Sequence, residues 1–201
     1  RRPDHEGGRW HLAGVRPPGE PGGFGQMVAW QRPPPPQPED PAAGPEARGE
    51  VPAPAFGVWP ENSTDLDATT DPQTTAMIRA ALQQVGVPIL VGTILDGPGV
   101  DERQTASLWW DPDAGILARY VKRGIVPFGE WVPFRSLLLP LIPELGYVGA
   151  QSVPGTEPGV LGVEAAGRHL NLGVMVCYDV SFDSFAFDTV RHGGEILVVQ
   201  S

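Results

Sequence analysis

The sequence predicts a layered α/β fold, and three observations carry that reading. Short β-branched or aromatic runs recur from residue 54 onward, two helical stretches interrupt them, and turn signals such as "DPDAG" (111–115) separate neighbouring runs. Strands that alternate with helices bury one face of each layer on the next, which points to an α/β sandwich with a mixed or largely parallel sheet.

The elements follow in order. "PAFGVWP" (54–60) reads as a short buried strand with a hard stop at Pro60. In "DPQTTAMIRAALQQVG" (71–86), Asp71 is placed to cap a helix and Pro72 occupies its first position. Met77, Ile78, Ala81, Leu82 and Val85 form one apolar face, and Gly86 ends the helix. "VPILVGTIL" (87–95) and "QTASLWWDP" (104–112) are strands, and "GILARYVK" (115–122) extends the same sheet edgewise. "HLNLGVMVCYD" (169–179) is a strand, "FDSFAFDTVRHGG" (182–194) a helix with a glycine stop, and "EILVVQS" (195–201) a last strand.

Residues 1–50 differ in kind. They hold eleven of the chain's 24 prolines, including "RPPPPQPEDP", and show no run of period 2 or 3.6. Such a composition cannot bury enough apolar surface to offset chain entropy, so this segment is expected to be a disordered or non-native leader before a domain at 51–201. The net charge of −10 and pI near 4.7, without a basic stripe, argue against a nucleic-acid partner. One cysteine permits no internal disulfide. The most lipid-like segment, "SLLLPLIPEL" (136–145), is short and broken by Pro140 and Pro143, below the roughly 20 apolar residues a spanning helix needs.

Three stretches carry candidate chemistry. Cys177 stands where a strand gives way to a helix; there backbone N–H groups can face a reacting carbonyl, and a helix N-terminus favours thiolate. A free cysteine is also among the most buried residue types, so this stretch alone leaves nucleophile and packing residue both open. Glu61 in "VWPENS" follows a strand and a proline beside Trp59, a setting in which partial desolvation suits a carboxylate to general-base work; standing alone, it reads more readily as a solvated loop acid or a helix-capping acid. Lys122 ends a strand ahead of a proline-flanked loop that carries Glu130. It is either a surface charge or, beside a thiolate, an oxyanion donor.

Together these stretches resemble a known family. Glu61 in "WPENS", Lys122 in "YVKRGIVPFGEWVP" and Cys177 in "GVMVCYD" match the Glu–Lys–Cys triad of the nitrilase, or carbon–nitrogen hydrolase, superfamily in its usual chain order. Within it, "LWWDPDAGILARYVKRGIVPFGEWVPFR" (108–135) is similar to the apolipoprotein N-acyltransferases, "VPFGEWVP" being the specific part. The resemblance covers about residues 50–201. Asp179 stands where this branch often has glutamate, and Trp131 where it often has tyrosine.

The resemblance implies a nitrilase-like αββα sandwich, here incomplete at the C-terminus, because family members continue past "VVQS" with further strands. It also implies ping-pong acyl transfer. Glu61 would deprotonate Cys177, which takes a fatty acyl chain from a phospholipid donor as a thioester. Lys122 and the backbone N–H of Tyr178 would hold the oxyanion, and the acceptor amine would be the N-terminus of a diacylated lipoprotein. Glu130 would support the site beside Lys122. No metal and no cofactor are called for, since the four histidines are scattered. The implied location is the bacterial cell membrane, with the catalytic domain on the extracytoplasmic side. "SLLLPLIPEL" would be an arm meeting the membrane surface, or else a loop packed on the domain. A soluble amidase using the same triad and an inactive truncated fragment are the alternatives. If the triad is real, Glu61, Lys122 and Cys177 should converge at the strand ends of one sheet.

Overall fold

The computed structural model describes residues 54–201; the leader expected at 1–50 lies outside them. Strand β1 (Gly57–Val58) is followed by helix α1 (Pro72–Val85), then β2 (Ile89–Asp96), β3 (Glu102–Asp111) and β4 (Gly115–Val121). A one-turn helix α2 (Arg135–Leu138) and a 3-10 turn (Pro143–Tyr147) lead to β5 (Gln151–Ser152). The hairpin β6 (Val160–Ala165) and β7 (Arg168–Val176) comes next, then a 3-10 turn (Cys177–Ser181), α3 (Asp183–Arg191) and β8 (Ile196–Gln200).

Local chemistry sets the boundaries. Asp71 caps α1 by accepting the Thr74 N–H at 2.7 Å, and Gly86 ends it in the left-handed region at φ 71°, where a side chain is disfavoured. Between β3 and β4, Asp111 Oδ1 accepts the N–H groups of Asp113 and Ala114 at 2.9 and 2.8 Å. This Asx geometry makes a tight antiparallel return.

Two sheets result. The first runs β1-β2-β3-β4, with β5 paired to β3; the second runs β6-β7-β8. Both are mixed: β1/β2, β3/β5 and β7/β8 are parallel, whereas β2/β3, β3/β4 and β6/β7 are antiparallel. The two tryptophans of β3 show how the layers stack. Trp110 enters the core between the first sheet and α1, with Ile78, Leu82 and Val91. Trp109, one residue earlier and so on the opposite face, enters the core between the sheets with Leu90, Leu161, Leu172 and Val174. Across the second sheet, α3 packs on β7 and brings Thr189 against Gly173. The order of layers is helix, sheet, sheet, helix.

Strand β6 has no counterpart among the elements expected from sequence. Its turn is Ala166–Gly167, both with positive φ (50° and 71°), the two-residue type that matches strand twist. The signal was the alternation of "VLGVEA" before it, whose side chains do alternate between buried and exposed. Among the described residues no helix is long and apolar enough to cross a membrane.

One close approach ties the fold to the candidate site. Gly92 in β2 lies so near the chain leaving β1 that an added Cβ would sit 2.1 Å from the Pro60 carbonyl oxygen and 3.0 Å from the Glu61 Cα. Gly92→Ala should therefore push the Glu61 segment off the sheet, lowering stability by about 1–3 kcal/mol as overpacking does. Urea unfolding checks this; an unchanged midpoint would show that the segment is loosely held.

Candidate active site

Lys122 immediately follows β4 and keeps its ladder going, its N–H bonded to the Thr105 carbonyl at 2.9 Å. Its side chain is 1% exposed. An ammonium this buried is costly unless it is paired and hydrogen-bonded, and Lys122 is both. Nζ donates to Glu61 Oε1 and to Glu130 Oε1, each at 2.9 Å. Burial by itself pulls the lysine pKa down, but the hydrogen bonds and charges of Glu130 and Glu61 outweigh it, and the net shift is upward. Lys122 is a cation at any physiological pH.

The two carboxylates are not equivalent. Glu130 is fixed at both oxygens, because Oε2 accepts the Val126 N–H at 2.8 Å while Oε1 takes the lysine. Its own backbone is pinned as well: its N–H donates to the Val126 carbonyl at 2.9 Å, and its carbonyl accepts the Ser152 N–H at 2.8 Å. The loop closes through Phe128, whose N–H donates to the Trp131 carbonyl at 2.7 Å. Glu61 uses only Oε1; among the described residues its Oε2 carries no hydrogen bond. Its backbone is held to β2 from both sides, through the Trp59 N–H on the Leu90 carbonyl and the Ser63 N–H on the Gly92 carbonyl, both at 2.9 Å. A basic oxygen is thus left available next to a fixed cation.

Cys177 opens the 3-10 turn after β7. Its φ is +44°, an uncommon and strained value for a residue with a side chain. The side chain packs at the rim of the inter-sheet core, and the thiol makes no hydrogen bond with another described residue. The first N–H groups of a helical turn have no partner within it, so the Tyr178 N–H is available to a ligand there. The Tyr178 ring is engaged elsewhere, edge-on to Phe182 with centroids 5.3 Å apart.

Asp179, which the sequence marked only as standing where the family branch often has glutamate, is fully buried. One oxygen accepts the Tyr120 hydroxyl and the Val176 N–H, both at 2.9 Å. The other accepts the N–H groups of Arg123 and Gly124, at 3.2 and 2.5 Å. One carboxylate therefore joins the residue before Cys177 to the two residues after Lys122. Burial first, and then the Asp179 charge, raise the Tyr120 hydroxyl well above the ordinary phenol range, so Tyr120 stays a donor. The signal in the sequence was an acid two residues after the cysteine. What it bonds to could not be read locally, since every partner except Val176 is more than 50 residues away.

Glu61, Lys122 and Glu130 are in direct contact; Cys177 is joined to them through Asp179. The expectation that the three triad candidates share one sheet is corrected. Glu61 and Lys122 leave β1 and β4 of the first sheet, while Cys177 leaves β7 of the second. Face-to-face sheets bring strand ends from both layers to one rim. Within "SLLLPLIPEL" Leu137 and Leu141 are 67% and 72% exposed, whereas Leu138, Leu139 and Leu145 are half-buried, and Phe134 and Tyr147 on either side of it are exposed as well. An open cavity of about 510 Å³ is lined by Arg123, Phe185, Asp188 and Arg191 with two neighbours on α3, and by none of the candidate residues. No group of three or more possible metal ligands occurs among the described residues.

Comparison with known proteins adds the following. Residues 52–201 match the carbon–nitrogen hydrolase family. An apolipoprotein N-acyltransferase of Mycolicibacterium smegmatis is 34% identical over 157 residues, 76% of this chain and 26% of that protein. Another, from Allorhizobium ampelinum, is 31% identical over 66% of this chain and 25% of its own length. The chain thus spans about a quarter of the length of these curated relatives. Among solved structures, an amidase of Nesterenkonia sp. AN1 superposes with a TM-score of 0.49 at 20% identity, over 77% of this chain and 55% of that one.

Removing the buried cation should be costly. Lys122→Met leaves Glu61 and Glu130 facing each other, and should lose about 3–5 kcal/mol at neutral pH, the usual result of stripping one partner from a buried pair. Because the folded lysine pKa is raised, the contribution is fully present below the unfolded lysine pKa of about 10.4. It fades only as pH rises through the higher folded value. Urea unfolding of both proteins from pH 6 to 11 should give a gap that is flat to about pH 10 and then narrows; a gap already gone at pH 8 would contradict the paired ammonium.

Proposed function

This chain belongs to the carbon–nitrogen hydrolase family, and on that premise we propose that it carries the catalytic site of an apolipoprotein N-acyltransferase built on Glu61, Lys122 and Cys177. The observation that carries the assignment of roles is the division of labour around Lys122. Glu130 spends both oxygens on structure, whereas Glu61 keeps Oε2 free. Glu61 is then the base and Glu130 the fixed counter-charge.

In the first half-reaction Glu61 takes the Cys177 proton, and the sulfur attacks an ester carbonyl of a phospholipid. The C–S bond forms as the carbonyl oxygen turns anionic, held by the Lys122 ammonium and the Tyr178 N–H. The C–O bond then breaks, and the lysophospholipid leaves with the proton from Glu61. In the second half, the terminal amine of a diacylated lipoprotein attacks the thioester. Glu61 accepts the amine proton, the amide C–N bond forms, the C–S bond breaks, and the leaving sulfur takes the proton from Glu61 to regenerate the thiol. The fixed charge of Lys122 and the strained turn at Cys177 are in place before substrate arrives, which is how such a site lowers a barrier without reorganising.

A soluble amidase would use the same three residues. The acyltransferase reading is favoured by similarity to N-acyltransferases and by the exposed apolar segment that begins beside Glu130. Phe128, Trp131, Phe134, Leu137, Leu141, Ile142 and Tyr147 are all exposed within twenty residues. A surface this apolar suits a lipid interface; the outer side of a bacterial cell membrane, where lipid and lipoprotein would both reach the site, is the location the proposal assigns to it.

Two measurements test this reading in the full-length protein. Incubated with phospholipid and no acceptor, Cys177 should accumulate a fatty acyl thioester visible by mass spectrometry. Lys122→Ala should slow its formation by about 10²-fold or more, and Cys177→Ala should abolish it; the acyl mass on any other residue would sink the mechanism. The purified protein should also bind zwitterionic vesicles with little salt dependence, because apolar burial must supply the attraction. Leu137→Ser with Leu141→Ser should weaken binding severalfold, and unaltered sedimentation would show that the segment does not meet lipid.

A further inference from the structure

Gln200, the last residue of β8, is 1% exposed and lies between the two sheets. It sits against the inter-sheet core that includes Leu90 and Val176. A buried amide in such a place needs every partner it can find, and Gln200 finds three, on three strands' worth of chain. Its Oε1 accepts the Ser107 hydroxyl from β3. Its Nε2 donates to the Trp59 carbonyl at 2.6 Å and to the Leu90 carbonyl at 3.2 Å. Its own backbone lies opposite Val176 in the β7–β8 register.

Two positions in that description matter for the chemistry. Val176 immediately precedes Cys177, and Trp59 stands two residues before Glu61. β1 pairs with β2 through Gly57 and Val58, and beyond them only the Trp59 and Ser63 N–H groups tie the backbone that carries Glu61 to β2. The Trp59 carbonyl lies just past the end of that pairing, and Gln200 supplies its donor. One residue thus fastens the cysteine strand, through its backbone, to the glutamate strand, through its side chain. Asp179 forms the matching link between Cys177 and Lys122, but it does not touch the Glu61 segment.

We propose that Gln200 is a positioning residue that sets the separation between Glu61 and Cys177, the two groups between which the proton moves. The proposal rests on the assignment of Glu61 as base and Cys177 as nucleophile. An apolar side chain of the same length would fill the space and leave the Trp59 carbonyl without its donor. The strand end could then shift, and a displacement of about 1 Å between base and nucleophile costs on the order of 10²-fold.

The test uses alkylation of Cys177 by iodoacetamide, which needs no lipid and reads the thiol directly, followed by peptide mass spectrometry on the full-length protein. The variants are Gln200→Met, which keeps the length without the amide, and Gln200→Asn, which keeps the amide but cannot reach Trp59. Val163→Ala, a cavity in the same inter-sheet core, controls for lost stability. Both Gln200 variants should alkylate at least tenfold more slowly at pH 7 and shift the pH–rate profile toward that of Glu61→Gln. Val163→Ala should lower Tm while keeping the wild-type profile. Folded Gln200 variants that alkylate at the wild-type rate, or a Val163→Ala protein slowed as much for the same loss of Tm, would overturn the proposal. So would unfolding of both Gln200 variants, since the residue would then serve stability alone. Thioester formation from phospholipid, measured on the same samples, separates the two readings: its absence from wild type with the alkylation pattern intact removes acyl transfer and leaves the role of Gln200 standing.

Discussion

A buried lysine ammonium organises this structure. Lys122 is almost without exposure, and a lone ammonium in that position would cost several kcal/mol. The fold therefore has to deliver counter-charges from two distant parts of the chain, Glu61 from 61 residues upstream and Glu130 from eight downstream. Much of the surrounding backbone follows from that requirement. The loop after Lys122 turns back within eight residues so that Glu130 can reach Nζ, and closes on itself through Val126, Phe128 and Trp131. The chain after β1 is drawn across β2, which is why β2 must present a glycine at position 92.

The proposed site is shared between two sheets, and this division would have a physical advantage. Charged groups collect at one rim, on the first sheet, while the thiol is carried by the second, so neither layer must bury three polar groups by itself. The cost is that the relative position of the sheets becomes a variable of the chemistry. Apolar packing between Leu90, Trp109, Leu161 and Val174 is strong but not directional. Direction comes from two buried polar side chains, Asp179 on the lysine side and Gln200 on the glutamate side.

Under the proposed mechanism, the same core chemistry would serve amide hydrolysis or acyl transfer, depending on what is allowed to reach the thioester. A thioester waiting for an amine must be kept from water, and the apolar side chains that flank Glu130 suit that task when lipid covers them. Under the proposed reading, the exposed residues between 128 and 147 become a dry wall only at a membrane.

Much of this was legible in the chain itself. Asp71, Pro72 and Gly86 wrote the limits of α1, and "DPDAG" wrote the β3–β4 turn, because caps and tight turns are decided by residues a few positions apart. Family resemblance put Glu61, Lys122, Glu130 and Cys177 forward as one site, and the first, second and third of these do meet. Tertiary structure alone decided the rest. Strand β6 was missed because its short alternation became a strand only by pairing with β7. The triad candidates were expected on one sheet, yet Cys177 follows a strand of the second sheet while Glu61 and Lys122 follow strands of the first, and no local pattern tells which sheet a strand will join. Asp179 and Gln200 looked like a conservative replacement and a strand end. Their partners lie up to 59 and 141 residues away, and a buried hydrogen bond between such distant groups exists only once the sheets that carry them have packed.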